Sequence, residues 1–89
     1  MTAAELLVEA LGWAGALLIL TAYLLLSAGK VTGQSLAYQA MNVAGAAGFI
    51  VNGLWHGALP SAGLNIMWML IGGVALTRIL RRRREGVVP

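Results

Sequence analysis

From Val31 to Thr77 the chain carries no Asp, Glu, Lys or Arg, a run of 47 residues out of 89. A second uncharged run extends from Ala10 to Gly29. A helix that crosses the ~30 Å hydrocarbon core of a bilayer needs about 20 predominantly apolar residues. The shorter run fits one such helix. The longer run fits two, provided something breaks it near its middle.

Composition agrees with lipid as the solvent. Hydrophobic residues make up 60% of the chain and charged residues 10%, against about 25% charged in an ordinary soluble domain. A soluble domain this small would need polar residues to cover a high surface-to-volume ratio. The sequence therefore predicts an all-α fold, an integral membrane three-helix bundle in a single domain. Its spans are expected at about 6–26, 36–55 and 60–80, followed by a basic cytoplasmic tail over 81–89.

Local signals set the helix ends. Thr2 and Glu5 have the spacing of a capping box, so the first helix begins near Ala3. It stops around Ser27 to Lys30, where Gly29 can take the left-handed C-terminal conformation. Lys30 to Gln34 form a short polar turn, and Ser35 is a candidate N-cap for the second helix, Leu36 to Trp55. His56-Gly57-Ala58-Leu59-Pro60 breaks the long run, and Pro60 suits the first turn of the third helix.

The charges predict direction. Lys30, Arg78, Arg81, Arg82, Arg83 and Arg84 fall on one side of a three-span arrangement, opposite Glu5, Glu9 and the loop at His56. The positive-inside rule then gives an N-out, C-in protein of the bacterial cytoplasmic membrane, with these basic residues as topology signals and contacts to anionic lipid. The net charge of +3 comes mainly from that cluster, so nucleic acid is not expected as a partner. The N-terminus does not read as a signal peptide, because it opens with Glu5 and Glu9 rather than basic residues. There is no cysteine, which excludes disulfides and thiolate metal sites.

Helices in lipid associate through close packing and polar bridges. Ala40, Ala44, Gly48 and Asn52, spaced by four, form a candidate packing stripe on the second helix, with Gly45 beside it. Gly12 and Ala16 on the first helix, and Gly72 and Gly73 on the third, are the expected counterparts. Asn42, Asn52 and Asn65 should face protein or a wet cavity, because an amide facing lipid leaves its hydrogen-bonding groups unsatisfied. Asn42 and Gln39 read as helix-to-helix bridges. Trp13 and Trp55 read as an interfacial aromatic belt. His56 reads as a lone loop histidine with no carboxylate beside it. Asn65, Trp68, Met69 and Gly72 share a helical face. Asn52 and Asn65 can lie at one level, near the end where helices 2 and 3 meet.

No Ser-His-Asp set, phosphate-binding glycine loop or paired carboxylate is present, so neither an enzyme nor a metal or cofactor is expected. The single acidic residue near a span, Glu9, is expected at the surface. That disfavours a proton-coupled drug pump, which needs a titratable group within the membrane.

The order Phe49-Ile50-Val51-Asn52-Gly53-Leu54-Trp55-His56-Gly57-Ala58-Leu59-Pro60, followed by Asn65-Ile66, resembles the bacterial SemiSWEET sugar transporters of the PQ-loop group. Gly12-Trp13 and Thr32 to Tyr38 echo that group as well. The resemblance implies a three-helix half-transporter with its N-terminus outside, which dimerises around a sugar pocket. Asn65 then matches the family's pocket asparagine. Phe49 stands where that pocket has a tryptophan, and Asn52 replaces its tyrosine. Leu25-Leu26 occupies the place of the family's Pro-Gln hinge, so the chain looks like a divergent relative. Fold alone does not fix activity.

The expected function is a homodimeric half-transporter of a small neutral solute, with Asn65, Asn52, Phe49 and Trp68 as its binding residues. Two such chains would supply six helices around an axis along the membrane normal. The alternative is a small structural or accessory membrane protein, or a holin-like pore former.

Overall fold

The first helix opens on a reciprocal cap. Thr2 Oγ1 accepts a hydrogen bond from the Glu5 backbone N–H at 3.1 Å, and Glu5 Oε1 accepts one from the Thr2 N–H at 3.4 Å. These bonds use two of the donors that a helix N-terminus leaves unpaired. In the computed structural model, which describes residues 1–86, three helices follow in order: α1 (Ala3–Ser27), α2 (Leu36–Trp55) and α3 (Leu59–Arg84).

Both turns between helices are built on a left-handed glycine. Gly29 has φ 75° after α1, and Gly57 has φ 69° after α2. In each case the N–H beyond the glycine reaches back to a carbonyl five residues earlier. Lys30 N–H donates to the Leu25 carbonyl at 2.9 Å, and Ala58 N–H to the Gly53 carbonyl at 2.8 Å. This is the helix-ending pattern in which a residue free of Cβ clash satisfies the last carbonyls. Ser35 Oγ accepts from Tyr38 N–H at the start of α2. Pro60 lies in the first turn of α3, where its missing N–H has no partner to lose.

The helices form an open row. α2 packs against both α1 and α3, whereas α1 and α3 do not meet. The all-α, three-helix arrangement expected from sequence is present, with α2 in the middle. The physical reason is that α2 has two close-packing faces.

The α1 face is a seam of backbone against backbone. A Cβ on Gly15 would come within 2.6 Å of the Gly45 carbonyl oxygen, and one on Gly48 within 2.5 Å of the Leu11 carbonyl oxygen. No side chain fits there, so the helices approach as closely as their backbones allow. The α3 face carries Asn42, Ala46 and Gly53, all buried. Gly53 meets buried Ala62 beside the α2–α3 turn, and Gly72 meets Val43 farther along.

Ala44, expected in the packing set, is exposed, as is Ala40. A four-residue stripe assumes one contact face. The real seam uses Gly45 and Gly48, three apart, and their direction on the helix leaves Ala44 outside both contacts.

α1 and α3 are long and apolar enough to cross a membrane, with mean hydropathies of 1.9 and 1.5 over their best stretches, and 11% of each stretch is buried. α2 is 20 residues long and uncharged, but it falls below them in hydropathy because glycine, alanine and amides fill its packed faces. α3 also runs beyond the expected end at Leu80. Arg81 to Arg84 form its last turn, where arginine is a good helix former and its charge suits the negative end of the helix dipole. The tail predicted over 81–89 is thus helical through Arg84, and residues 87–89 lie outside the described residues.

Candidate functional site

Because α1 and α3 flank α2 without touching, a groove opens between them over one side of α2. Ile19 of α1, Phe49 of α2, and Ser61, Leu64, Asn65 and Trp68 of α3 line a cavity of about 300 Å³ in it. A second cavity of about 270 Å³ lies against α1, lined by Glu9, Gly12, Trp13, Ala16, Phe49 and Asn52. Phe49 borders both. Three of the four residues singled out from sequence, Phe49, Asn65 and Trp68, therefore share one cavity. Asn52 lines the neighbouring one.

Each polar side chain has a defined partner. Trp68 Nε1 donates to Asn42 Oδ1 at 3.2 Å, and Asn42 Nδ2 donates to the Tyr38 carbonyl at 2.8 Å. Asn42 is 5% exposed, so these two bonds satisfy an amide that would otherwise be costly to bury. They also fix the Trp68 ring against α2, while the residue remains 47% exposed and lines the groove cavity. The Asn42 bridge expected from sequence thus runs to the groove's own tryptophan. Gln39 serves differently. Its Nε2 donates to the Gly33 carbonyl at 2.9 Å and ties the α1–α2 turn to α2.

Asn52 is a link between helices. Its Nδ2 donates to the Val8 carbonyl of α1 at 3.0 Å, and Gly12 leaves the room it occupies. Asn65 differs again. Its Nδ2 donates to the Ser61 carbonyl one turn earlier in α3, at 2.9 Å, and among the described residues its Oδ1 has no partner. Both amides commit an Nδ2 N–H, Asn65 within α3 and Asn52 to α1, and among the described residues each keeps an unpartnered Oδ1; only Asn65 lines the cavity shared with Phe49 and Trp68.

Sequence reasoning missed Gly15, Ser61 and the surroundings of His56. Gly15 sits three residues from Gly12, matching the Gly45–Gly48 spacing across the seam. Ser61 precedes Asn65 by one turn on the same face. His56 Nε2 stands 3.8 Å from Glu9 Oε2, with both side chains about half exposed. The expectation of a lone histidine is corrected: the antiparallel return of α2 brings its C-terminal end level with Glu9. A pair this exposed contributes little to stability. At the opposite end, Lys30 and Arg83 line one cleft, so the basic residues of the first turn and of α3 gather together. Among the described residues, no three His, Cys, Asp or Glu side chains group as metal ligands would.

A family model matches residues 8–84, and the chain belongs to that family, which is uncharacterised. No curated protein matches the chain, and no solved structure does.

Proposed function

We propose that this family member is a three-span protein of the bacterial cytoplasmic membrane, N-out and C-in, and one half of a homodimeric transporter for a small neutral solute. The observation that carries the reading is the groove left where α1 and α3 fail to meet, with Phe49, Asn65 and Trp68 on its walls. An aromatic surface beside an uncharged amide suits a sugar or polyol, whose ring stacks on apolar area while its hydroxyls hydrogen-bond. A cavity of about 300 Å³ is at the small end for a ligand site, and its open side invites a second copy to complete it.

Two observations support the membrane setting. Leu17, Leu20, Leu24, Leu64, Leu70 and Ile71 are all more than half exposed, which water would penalise and lipid does not. The apolar stretches of α1 and α3 are little buried, unlike the core helix of a soluble domain. α2 is compatible with a third span despite its lower hydropathy, because its polar and glycine positions face protein on two sides. Lys30 and Arg83 at one end, and Glu9 with His56 at the other, support the C-in orientation. The resemblance to the SemiSWEET group supports the transporter reading.

In this reading Asn65 binds the solute through its Oδ1, Phe49 and Trp68 pack on it, and Asn52 holds α1 to α2. Uptake of a panel of radiolabelled sugars and polyols into proteoliposomes tests it. The wild type should accumulate at least one solute above empty liposomes, and Asn65→Ala should reduce that uptake. Equal inertness of both proteins across the panel contradicts the reading.

A further inference from the structure

The five arginines at the end of α3 do not stand in equivalent surroundings. Arg78 and Arg81 are three residues apart and so share a helical face. Both border a groove of about 690 Å³ whose other walls include Val43, Met69, Gly73 and Thr77. A second groove, of about 400 Å³, runs along the other side of α3 past Ile71 and Ala75. The two grooves share Leu70, Val74 and Arg78. An exposed ridge of Leu70 and Val74 thus lies between two apolar channels that both reach Arg78. Arg82 and Arg84 border neither groove, and Arg83 faces the cleft with Lys30.

Among the described residues, neither Arg78 nor Arg81 lies within 4.0 Å of a carboxylate oxygen. Both guanidinium groups are free to bind an anion, and the planar fork of arginine matches the oxygens of a phosphate. A soluble anion would use the two charges and ignore the channels. A molecule with one phosphate and two hydrocarbon chains uses all of it.

We propose that Arg78 and Arg81 form a binding site for the headgroup phosphate of an anionic diacyl phospholipid, whose two acyl chains lie in the channels on either side of Leu70 and Val74. The site rests on the membrane reading given above. It goes beyond a general attraction of basic residues to the bilayer surface, because two arginines of five are selected by the channels they border.

Native mass spectrometry of the detergent-purified full chain tests the site, with dioleoyl phosphatidylglycerol or dioleoyl phosphatidylcholine added as probes. The wild type should retain phosphatidylglycerol at least tenfold better than phosphatidylcholine, given that a basic residue near a membrane surface contributes about 1 kcal/mol of attraction to anionic lipid. The double variant R78Q/R81Q should lose that preference. R82Q/R84Q removes the same charge from the same end of α3 and should keep the preference within about twofold. A Cβ on Gly73 meets nothing within 4 Å, so Gly73→Leu builds a side chain out into open space at the wall of the larger channel. It should weaken retention of both lipids.

Equal loss in the two arginine double variants overturns the site, since it makes the attraction one of diffuse charge. Displacement of phosphatidylglycerol by millimolar inorganic phosphate also overturns it, since the channels then add nothing. Alkaline carbonate extraction separates the two readings. A protein released from membranes contradicts the membrane setting itself. A protein that stays in the membrane but shows no lipid preference contradicts the lipid site alone.

Discussion

The indole N–H of Trp68 donates to Oδ1 of Asn42 across 3.2 Å, joining α3 to α2 through the one buried polar side chain among the described residues. The groove tryptophan is therefore oriented by a residue that does not line the groove. Trp68→Phe keeps an aromatic ring and removes the donor. Asn42→Leu keeps the volume and removes the acceptor. Each should destabilise the protein by about 0.5–1.7 kcal/mol, the range for hydrogen bonds between helices in lipid. The double variant should cost less than the sum of the two, because both changes remove the same bond. Unfolding in mixed micelles measures all three; strictly additive losses would show that the two residues act independently.

Glycine variants separate the seam from the rest of the chain. Gly48→Ala drives a methyl group to within 2.5 Å of the Leu11 carbonyl oxygen, and Gly15→Ala does the same at 2.6 Å from that of Gly45. Both obstacles are backbone, so α1 and α2 must separate, at a cost of about 1–3 kcal/mol. Gly63 has nothing within 4 Å of its Cβ position, and Gly63→Ala should be neutral or stabilising by up to ~1 kcal/mol. Thermal unfolding in one detergent ranks the three variants. A Gly48→Ala protein as stable as Gly63→Ala contradicts the close seam.

Asn52 and Asn65 should respond in opposite ways. Asn52→Leu removes the link to the Val8 carbonyl and should lower stability by about 1 kcal/mol. Asn65→Ala breaks a bond only to its own helix and should leave stability within ~0.5 kcal/mol, while reducing solute uptake. Stability and uptake measured on the same two preparations check the division. If Asn65→Ala unfolds the protein more than Asn52→Leu does, the assignment of roles is reversed.

Expression separates the half-transporter from a holin-like pore. A transporter that alternates access presents no continuous path, so the membrane potential of expressing cells should stay at the level of cells with empty vector. A potential-sensitive dye reports this within minutes of induction. Abrupt depolarisation with growth arrest favours the pore former.

What the sequence made legible was mostly local. The Thr2–Glu5 cap, the Ser35 cap, left-handed Gly29 and Pro60 in the first turn of α3 are each decided within a few residues, and each stands where the spacing puts it. Asn65 and Trp68 were legible as neighbours on one face of α3 from their i, i+3 spacing, whereas Phe49 entered only through the resemblance, and Asn52, grouped with them, lines the neighbouring cavity. Contacts that depend on how helices rotate against each other were not legible. Ala44 and Gly45 are neighbours in sequence, yet one is exposed and the other is buried in the seam, and a repeat of four does not distinguish them. The Glu9–His56 approach and the commitment of Asn52 to Val8 both depend on the register between α1 and α2. The absence of contact between α1 and α3 depends on both close faces lying on α2, a property of three dimensions that no single helix pattern contains.

The central claim is that α2 crosses the membrane between α1 and α3, although it is less apolar than either. The chain has no cysteine, so single cysteines at Gly33, in the α1–α2 turn, and at Ala58, in the α2–α3 turn, can be probed with an impermeant maleimide on intact cells. The account predicts that Ala58→Cys is labelled from outside and that Gly33→Cys is labelled only after the cells are opened. Labelling of both positions from the same side would mean that α2 does not cross, and would contradict the three-span arrangement directly.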